Sequence, residues 1–476
     1  MEKVREIMRE GRRVAKEDPR RVVHSFKVGL VLALVSSFYY YQPLYDSFGV
    51  NAMWAVMTVV VVFEFSVGAT LGKGLNRVGA TLFAGALGIG AHHLASMSGS
   101  TGEPILLAIF VFIQAAVSTF VRFFPRVKAR YDYSLLIFIL TFALISVSGF
   151  REDQVLMLTH KRVSTVIIGG LCCVLVSIFV CPVWAGQDLH LLLASNFEKL
   201  SLFLLDFGDK YCEAEENDDT KEVVDKRKRN FDNYKSVLNS KSNEESLANF
   251  AKWEPGHGQF KFRHPWKHYL AVGELIRQCA YRIHSLNSYY NSDIQVSIDI
   301  KKKLGEPLRR MSSEAGKAMK EMSNSLKKMT KPSSSNLHVQ NARSAIKSLT
   351  NLLDSGILKE VEPQELISLL TAISLLIDII NLTEKILESL HELASAAKFK
   401  SKTAKSEKPN AKSIVSVQPT KYHDDHVVTI FEDDDTSKHN NRSNEVPIDE
   451  EHETKCVSCN HTSPRDVVEC DNVSPK

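Results

Sequence analysis

GATLGKGLNRVGAT, residues 68–81, interrupts the most apolar third of a 476-residue chain. Its glycines, with Lys73 and Arg77, resemble at first sight a phosphate-binding loop. A P-loop needs G-x-x-x-x-G-K-[ST], however, and here the lysine follows G-x-x-x-G and precedes Gly74. On one side lies WAVMTVVVVFEFSV (54–67) and on the other LFAGALGIGA (82–91). The stretch therefore reads as a short basic connection between two apolar segments, and what surrounds it decides the fold.

Working outward, six segments approach the twenty or so residues that a bilayer core requires: 22–41, 52–71, 78–97, 105–124, 133–150 and 163–183. A soluble helical core rarely repeats that length six times in so short a distance. The expected fold is an all-α membrane protein with six transmembrane helices and a cytosolic helical bundle. Whole-chain averages hide this. The net charge of +4 and the mean hydropathy of -0.11 blend an apolar first part with a charged remainder. No aromatic-basic module suggests nucleic-acid binding.

Lys and Arg in the short loops set the orientation. Lys3, Arg5, Arg9, Arg12, Arg13, Lys16, Arg20, Arg21 and Lys27 cluster at or before the first span. Lys73 and Arg77 occupy the second connection, and Arg126, Lys128 and Arg130 the fourth. The first connection, QPLYDSFGVN, and the third, SGSTGEP, hold neither residue type. Both termini are therefore expected in the cytosol. Arg151, Lys161 and Arg162 break the trend by lying on the outer side.

The expected domains are a basic amphipathic leader (1–21), the membrane domain (22–184), the helical cytosolic domain (185–400) and a tail of disordered composition (401–476). The leader spaces Val4, Ile7, Met8, Gly11, Val14 and Ala15 along one stripe, which suits either an anionic leaflet or a solvated cap. In the tail, Cys456-x-x-Cys459 with His461 and Cys470 nearby has zinc-ligand chemistry, but a lone CxxC in a polar segment reads as incidental. No metal site or cofactor is expected. No GxSxG, HExxH, kinase or dinucleotide signature stands in a plausible place, so the chain is not expected to be an enzyme.

Ionisable residues within apolar segments are costly and mark function or pairing. Arg77 and Arg162 read as opening apolar helices beside a second cation, Lys73 and Lys161 respectively. Clustered cations at helix starts call for an anion or a protein carboxylate between them, and arginine grips a carboxylate with two donors. Arg122 closes the fourth span, where it either snorkels or joins the anion path. Glu64, inside VVVVFEFSV, is a pore acid or half of a salt bridge. His92 and His93 keep a proton relay open.

The run from Trp54 to Ala95, WAVMTVVVVFEFSVGATLGKGLNRVGATLFAGALGIGAHHLA, closely resembles the plant aluminium-activated malate transporter family. STFVRFFP, FILTFALISVSGFR and FVCPVWAGQDLH continue the resemblance. WEPGHGQFKFRHPW, with Trp253, Glu254 and Pro255, matches the family's WEP motif. The likeness covers roughly residues 1–400. A more distant likeness, through GATLxKGxNRxxGT, is to the fusaric-acid-resistance and aromatic-acid-exporter proteins.

The resemblance implies a homodimeric channel passing malate and other anions, with Arg77 and Arg162 at pore positions. Two-fold symmetry would then line the path with four cations. It also places the chain in the plasma membrane sooner than in the vacuolar membrane. A proton-coupled organic-acid exporter is the alternative. The aluminium ion, a hard trivalent cation, needs several oxygen ligands, and the candidates are Asp46, Glu152 and Asp153. After Asp153 the loop reads QVLMLTHKR without a further carboxylate, where some family members carry more acid. That departure puts strong aluminium activation in doubt. The WEP segment reads as an aromatic plug between the two halves or as a gating element.

Overall fold

The computed structural model describes residues 2–43, 52–149, 155–212, 230, 232–290, 298–355 and 362–401. Asp46, Glu152, Asp153 and the tail cysteines lie outside the described residues. Within them the chain is helical, apart from turns, short extended segments and two isolated bridges.

Helix α1 (Glu2–Glu17) ends at Asp18, whose carboxylate accepts the Arg20 N–H at 3.0 Å and so caps the next helix. Pro19, which has no amide hydrogen to leave unpaired, takes the first position of α2 (Pro19–Tyr40). The apolar part continues through α3 (Met53–Val62), α4 (Val67–Ser96), α5 (Gly99–Arg122), α6 (Pro125–Gly149) and α7 (Val155–Phe179). Six apolar helices, α2 to α7, thus make the membrane half. Its internal core is thin: Val31, Val35, Ala55, Val59, Val62 and Cys173 form the larger buried cluster. Phe83, Phe112, Phe120 and Phe179 point outward, more than 60% exposed. In water that surface would be costly, and lipid removes the cost.

The boundaries differ from those expected at the stretch that opened the argument. GATLGKGLNRVGAT is not a connection: α4 runs through it unbroken for 30 residues. The break falls earlier, at residues 63–66, where Ser66 accepts the Ala69 N–H at 3.3 Å and caps α4. The Thr70 hydroxyl accepts the Glu64 N–H at 3.0 Å and lies 3.1 Å from the Glu64 carbonyl. These bonds satisfy the irregular backbone, a requirement in an apolar medium. The expected second span is thus a ten-residue helix, roughly 15 Å long, followed by an extended link. Neither Arg77 nor Arg162 opens a helix. Arg77 lies roughly 15 Å along α4, and Arg162 roughly 10 Å along α7.

Helix α4 is central, packing on α5, α6 and α7, while α3 packs on α7. Gly169 of α7 makes the last contact possible, because a Cβ there would lie 2.7 Å from the Ala55 carbonyl. Small residues let backbones approach where lipid removes any hydrophobic drive.

The remainder forms a helical bundle of α8 (Ala185–Cys212), α9 (Lys235–Leu238), α10 (Lys241–Ala251), α11 (Trp266–Tyr290), α12 (Ile298–Lys327), α13 (Ser335–Asp354) and α14 (Pro363–Ala396). Leu189, Leu193, Phe197, Leu200, Leu204 and Phe207 put one face of α8 into its core, chiefly against α12. Helix α14 is long and apolar enough to cross a membrane. It instead buries Leu376, Ile380, Leu387 and Leu390 in that core, beside α11.

Candidate functional site

Two arginines lie buried inside the membrane half. Arg77 is 5% exposed and Arg162 7%. The Arg77 Nη1 donates to the Tyr133 hydroxyl at 2.6 Å. Its Nε is buried without a hydrogen-bond partner, and no carboxylate pairs with it among the described residues. The Arg162 guanidinium carbon lies 3.7 Å from the centre of the Trp54 ring, a cation–π contact. It too has no carboxylate partner among the described residues. Helices α4 and α7, which carry the two charges, pack together.

Two desolvated like charges repel, and among the described residues each lacks the acid that would normally accompany burial. A hydroxyl and a ring face orient them without neutralising them. On Arg77 the Nη1 is taken, so Nε and Nη2, one bidentate edge of the guanidinium, have no hydrogen-bond partner among the described residues. Such an edge matches a carboxylate.

The other cations are placed differently. Lys73 forms an ion pair with Glu64, across the break before α4. Arg122 is held by Asp132, with Nε to Oδ1 at 2.7 Å and Nη2 to Oδ2 at 3.2 Å. Lys161 is half-buried next to Arg162, and its carbonyl accepts the Thr165 hydroxyl at 2.9 Å. His92 faces Glu103 at 3.5 Å.

Sequence reasoning passed over Tyr133, Trp54 and Lys27. An aromatic residue near a span end reads as an interface anchor, and Lys27 reads as one of nine leader cations. In the structure Lys27 is 2% exposed, and its Nζ donates to the Cys181 carbonyl at 2.8 Å. Cys181 has φ +43°, a left-handed conformation in which α7 terminates. Lys27 of α2 thereby satisfies a carbonyl that the end of α7 leaves free.

Trp253-Glu254-Pro255 sits where the halves meet. The Ala185 N–H donates to Glu254 Oε1 at 2.6 Å and the Gly186 N–H to Oε2 at 3.1 Å, so one carboxylate caps α8. Gly68 of α4 lies against the same segment; a Cβ there would come within 2.3 Å of the Phe250 carbonyl. Val67 N–H donates to the Val183 carbonyl at 2.9 Å, joining the starts of α4 and α8 directly. Trp184 stacks on His257 with ring centres 3.8 Å apart. Burial pushes the Glu254 carboxyl up to about 7, with Asp188 adding to the rise and the amides opposing it. Behind it, the Tyr269 hydroxyl lies 3.0 Å from His190 Nδ1 and 3.2 Å from His264 Nε2.

Comparison with known proteins places this geometry in context. The family described as "Aluminium activated malate transporter" matches residues 12–359. "Aluminum-activated malate transporter 7" of Arabidopsis thaliana is 80% identical, covering 97% of this chain and 99% of that one. "Aluminum-activated malate transporter 2" of the same plant is 68% identical, over 98% and 99%. A wheat relative (Triticum aestivum), "Aluminum-activated malate transporter 1", is 42% identical over 81% and 84%.

Proposed function

This chain belongs to the aluminium-activated malate transporter family, and from that premise we propose that it is a passive channel for malate and related anions. The observation that carries the reading is the pair Arg77 and Arg162, buried in the membrane half with no carboxylate partner among the described residues. Their missing counter-charge is the permeant anion. A carboxylate engages the unpartnered Nε/Nη2 edge of Arg77 and then Arg162, exchanging hydration for these donors. Trp54 and Tyr133 orient the cations yet bring no negative charge, so the anion is held loosely enough to leave.

The driving force is electrical. Each charge crossing 100 mV is worth about 2.3 kcal/mol, so a dianion leaving a negative cytosol gains about 4.6. The basic residues before α2, with Arg126, Lys128 and Arg130 at the start of α6, support a cytosolic bundle. A two-fold dimer would supply four such arginines. The aluminium response in the relatives' names is not carried over, because the candidate acids Asp46, Glu152 and Asp153 lie outside the described residues.

The test is to record currents from cells expressing the chain with malate inside, comparing wild type, Arg77→Ala and Arg162→Ala at matched surface expression. A charged hydrogen bond is worth about 1.5–3 kcal/mol, so current should fall by roughly ten- to a hundredfold in each variant. Undiminished malate current in both variants moves the path elsewhere. Flux that follows a proton gradient, without current reversing near the malate potential, replaces the channel by a coupled exporter.

A further inference from the structure

Helix α1 has its main neighbour in the start of α2 and leaves most of its surface open. Helical residues follow one another at about 100°, which puts Val4, Ile7, Met8, Gly11, Val14 and Ala15 within one arc of about 120°. Arg5, Arg9, Arg12 and Lys16 form one shoulder of that arc. Glu6, Glu10 and Glu17, with Lys3, form the other. Arg13 engages Glu10 at 2.6 Å and Glu17 at 3.5 Å. Arg5, Arg9, Arg12 and Lys16 have no ion-pair partner among the described residues. The charge is therefore lopsided, and its unpaired part is positive.

The apolar arc is not a bundle contact. Val4, Ile7 and Met8 are all more than half exposed. Ile7, Gly11 and Val14, edged by Lys3, Glu6 and Glu10, wall a groove of about 700 Å³ with Arg21, Val22 and Ser25 of α2. Val22 in turn begins an exposed stripe, Val22, Phe26, Leu30 and Leu34, that runs up α2 at every fourth residue. One apolar surface thus turns the corner at Asp18-Pro19, from α1 onto the outer side of a membrane helix.

We propose that α1 is an interfacial helix that docks on the anionic phospholipid headgroups of the leaflet where α2 begins. Its apolar arc faces the acyl chains, and Arg5, Arg9, Arg12 and Lys16 meet lipid phosphates and carboxylates. Charge complementarity selects this occupant, and continuity with the α2 stripe puts the arc at the right depth. Directly after the corner, Arg20 binds Asp18 and, at 3.0 Å, Asp188 of α8, so docking is tied to the start of the bundle. The inference needs only that α2 crosses a bilayer, and it stands whatever anion permeates.

The test is hydrogen exchange of the full-length protein in nanodiscs of phosphatidylcholine alone and of phosphatidylcholine with phosphatidylserine. Amides of α1 should exchange more slowly with phosphatidylserine present, and molar salt should remove the difference. The quadruple variant R5Q/R9Q/R12Q/K16Q should lose it as well, each cation accounting for about fivefold in binding. Unchanged exchange in α8 and α12 shows that the variant is folded. Equal protection in both nanodiscs overturns the proposal. So does protection that appears in lipid-free detergent and rises with protein concentration, since a second copy then covers the arc.

Discussion

Glu254 shows how a single side chain joins two environments. It is 4% exposed, both its oxygens accept amides at the start of α8, and its segment lies against Gly68 of α4. With burial holding this carboxyl up to about 7, the folded state binds the proton more tightly than the unfolded chain does. Its stabilisation is full below about pH 4.5 and is lost as pH rises through 7, a difference on the order of 3 kcal/mol. Wild type should therefore lose melting temperature relative to Glu254→Gln, which cannot ionise, as pH rises from about 4.5 to 7. An unchanged slope in the variant assigns the pH dependence to another group. The motif was legible in the sequence as a family signature; the cap was not, because residues 254 and 185 are distant in the chain.

At the scale of elements, helix ends carry the consequences. Helix α7 ends at a left-handed Cys181 whose carbonyl is met by Lys27 of α2. Lys27→Met keeps an apolar stem but removes the donor of this part-buried hydrogen bond, at a cost of about 1 kcal/mol. The expected result is a lower melting temperature in nanodiscs with malate current per channel retained. If the melting temperature holds and permeation changes, Lys27 belongs to the anion path. Helix α4 illustrates the opposite case, an end that is absent. Lys73 and Arg77 look like loop residues because charges usually seek water. Here Glu64 and the Tyr133 hydroxyl meet them laterally, so the helix has no need to stop.

For the whole molecule, the two halves cohere by different physics. The bundle buries one large apolar core, whereas the membrane half has small buried clusters and an apolar exterior. Burial holds the His190 and His264 imidazoles down to about 4, with His264 also acting on His190 and His257 on His264. Both sit on Tyr269, between the joint and the bundle core. A depressed histidine contributes stability above about pH 6.5 that is lost as pH falls towards 4, up to about 3 kcal/mol each. Acidification should thus open the bundle around Trp266, which packs on His264, while the membrane helices persist. Tryptophan fluorescence followed beside far-ultraviolet dichroism checks this, and His190→Asn should remove part of the acid sensitivity. A loss of helix signal in step with the fluorescence would mean that the halves do not separate.

The sequence by itself determined the class of this protein. Six apolar segments in one short region cannot be buried in a small water-soluble domain, and the motif resemblance extends from them into the helical remainder. It also singled out Arg77 and Arg162, because each stands beside a second cation next to an apolar run, although neither opens a helix as that reading expected. Tertiary structure alone decided which cations find no acid among the described residues. Lys73 and Arg122 find Glu64 and Asp132, while Arg77 and Arg162 find a hydroxyl and an indole face. It also moved the helix break from the basic stretch to residues 63–66. Local composition cannot encode either outcome, since pairing depends on which helices α4 and α7 happen to touch, and a charge inside a membrane is tolerated or exposed according to its neighbours across space.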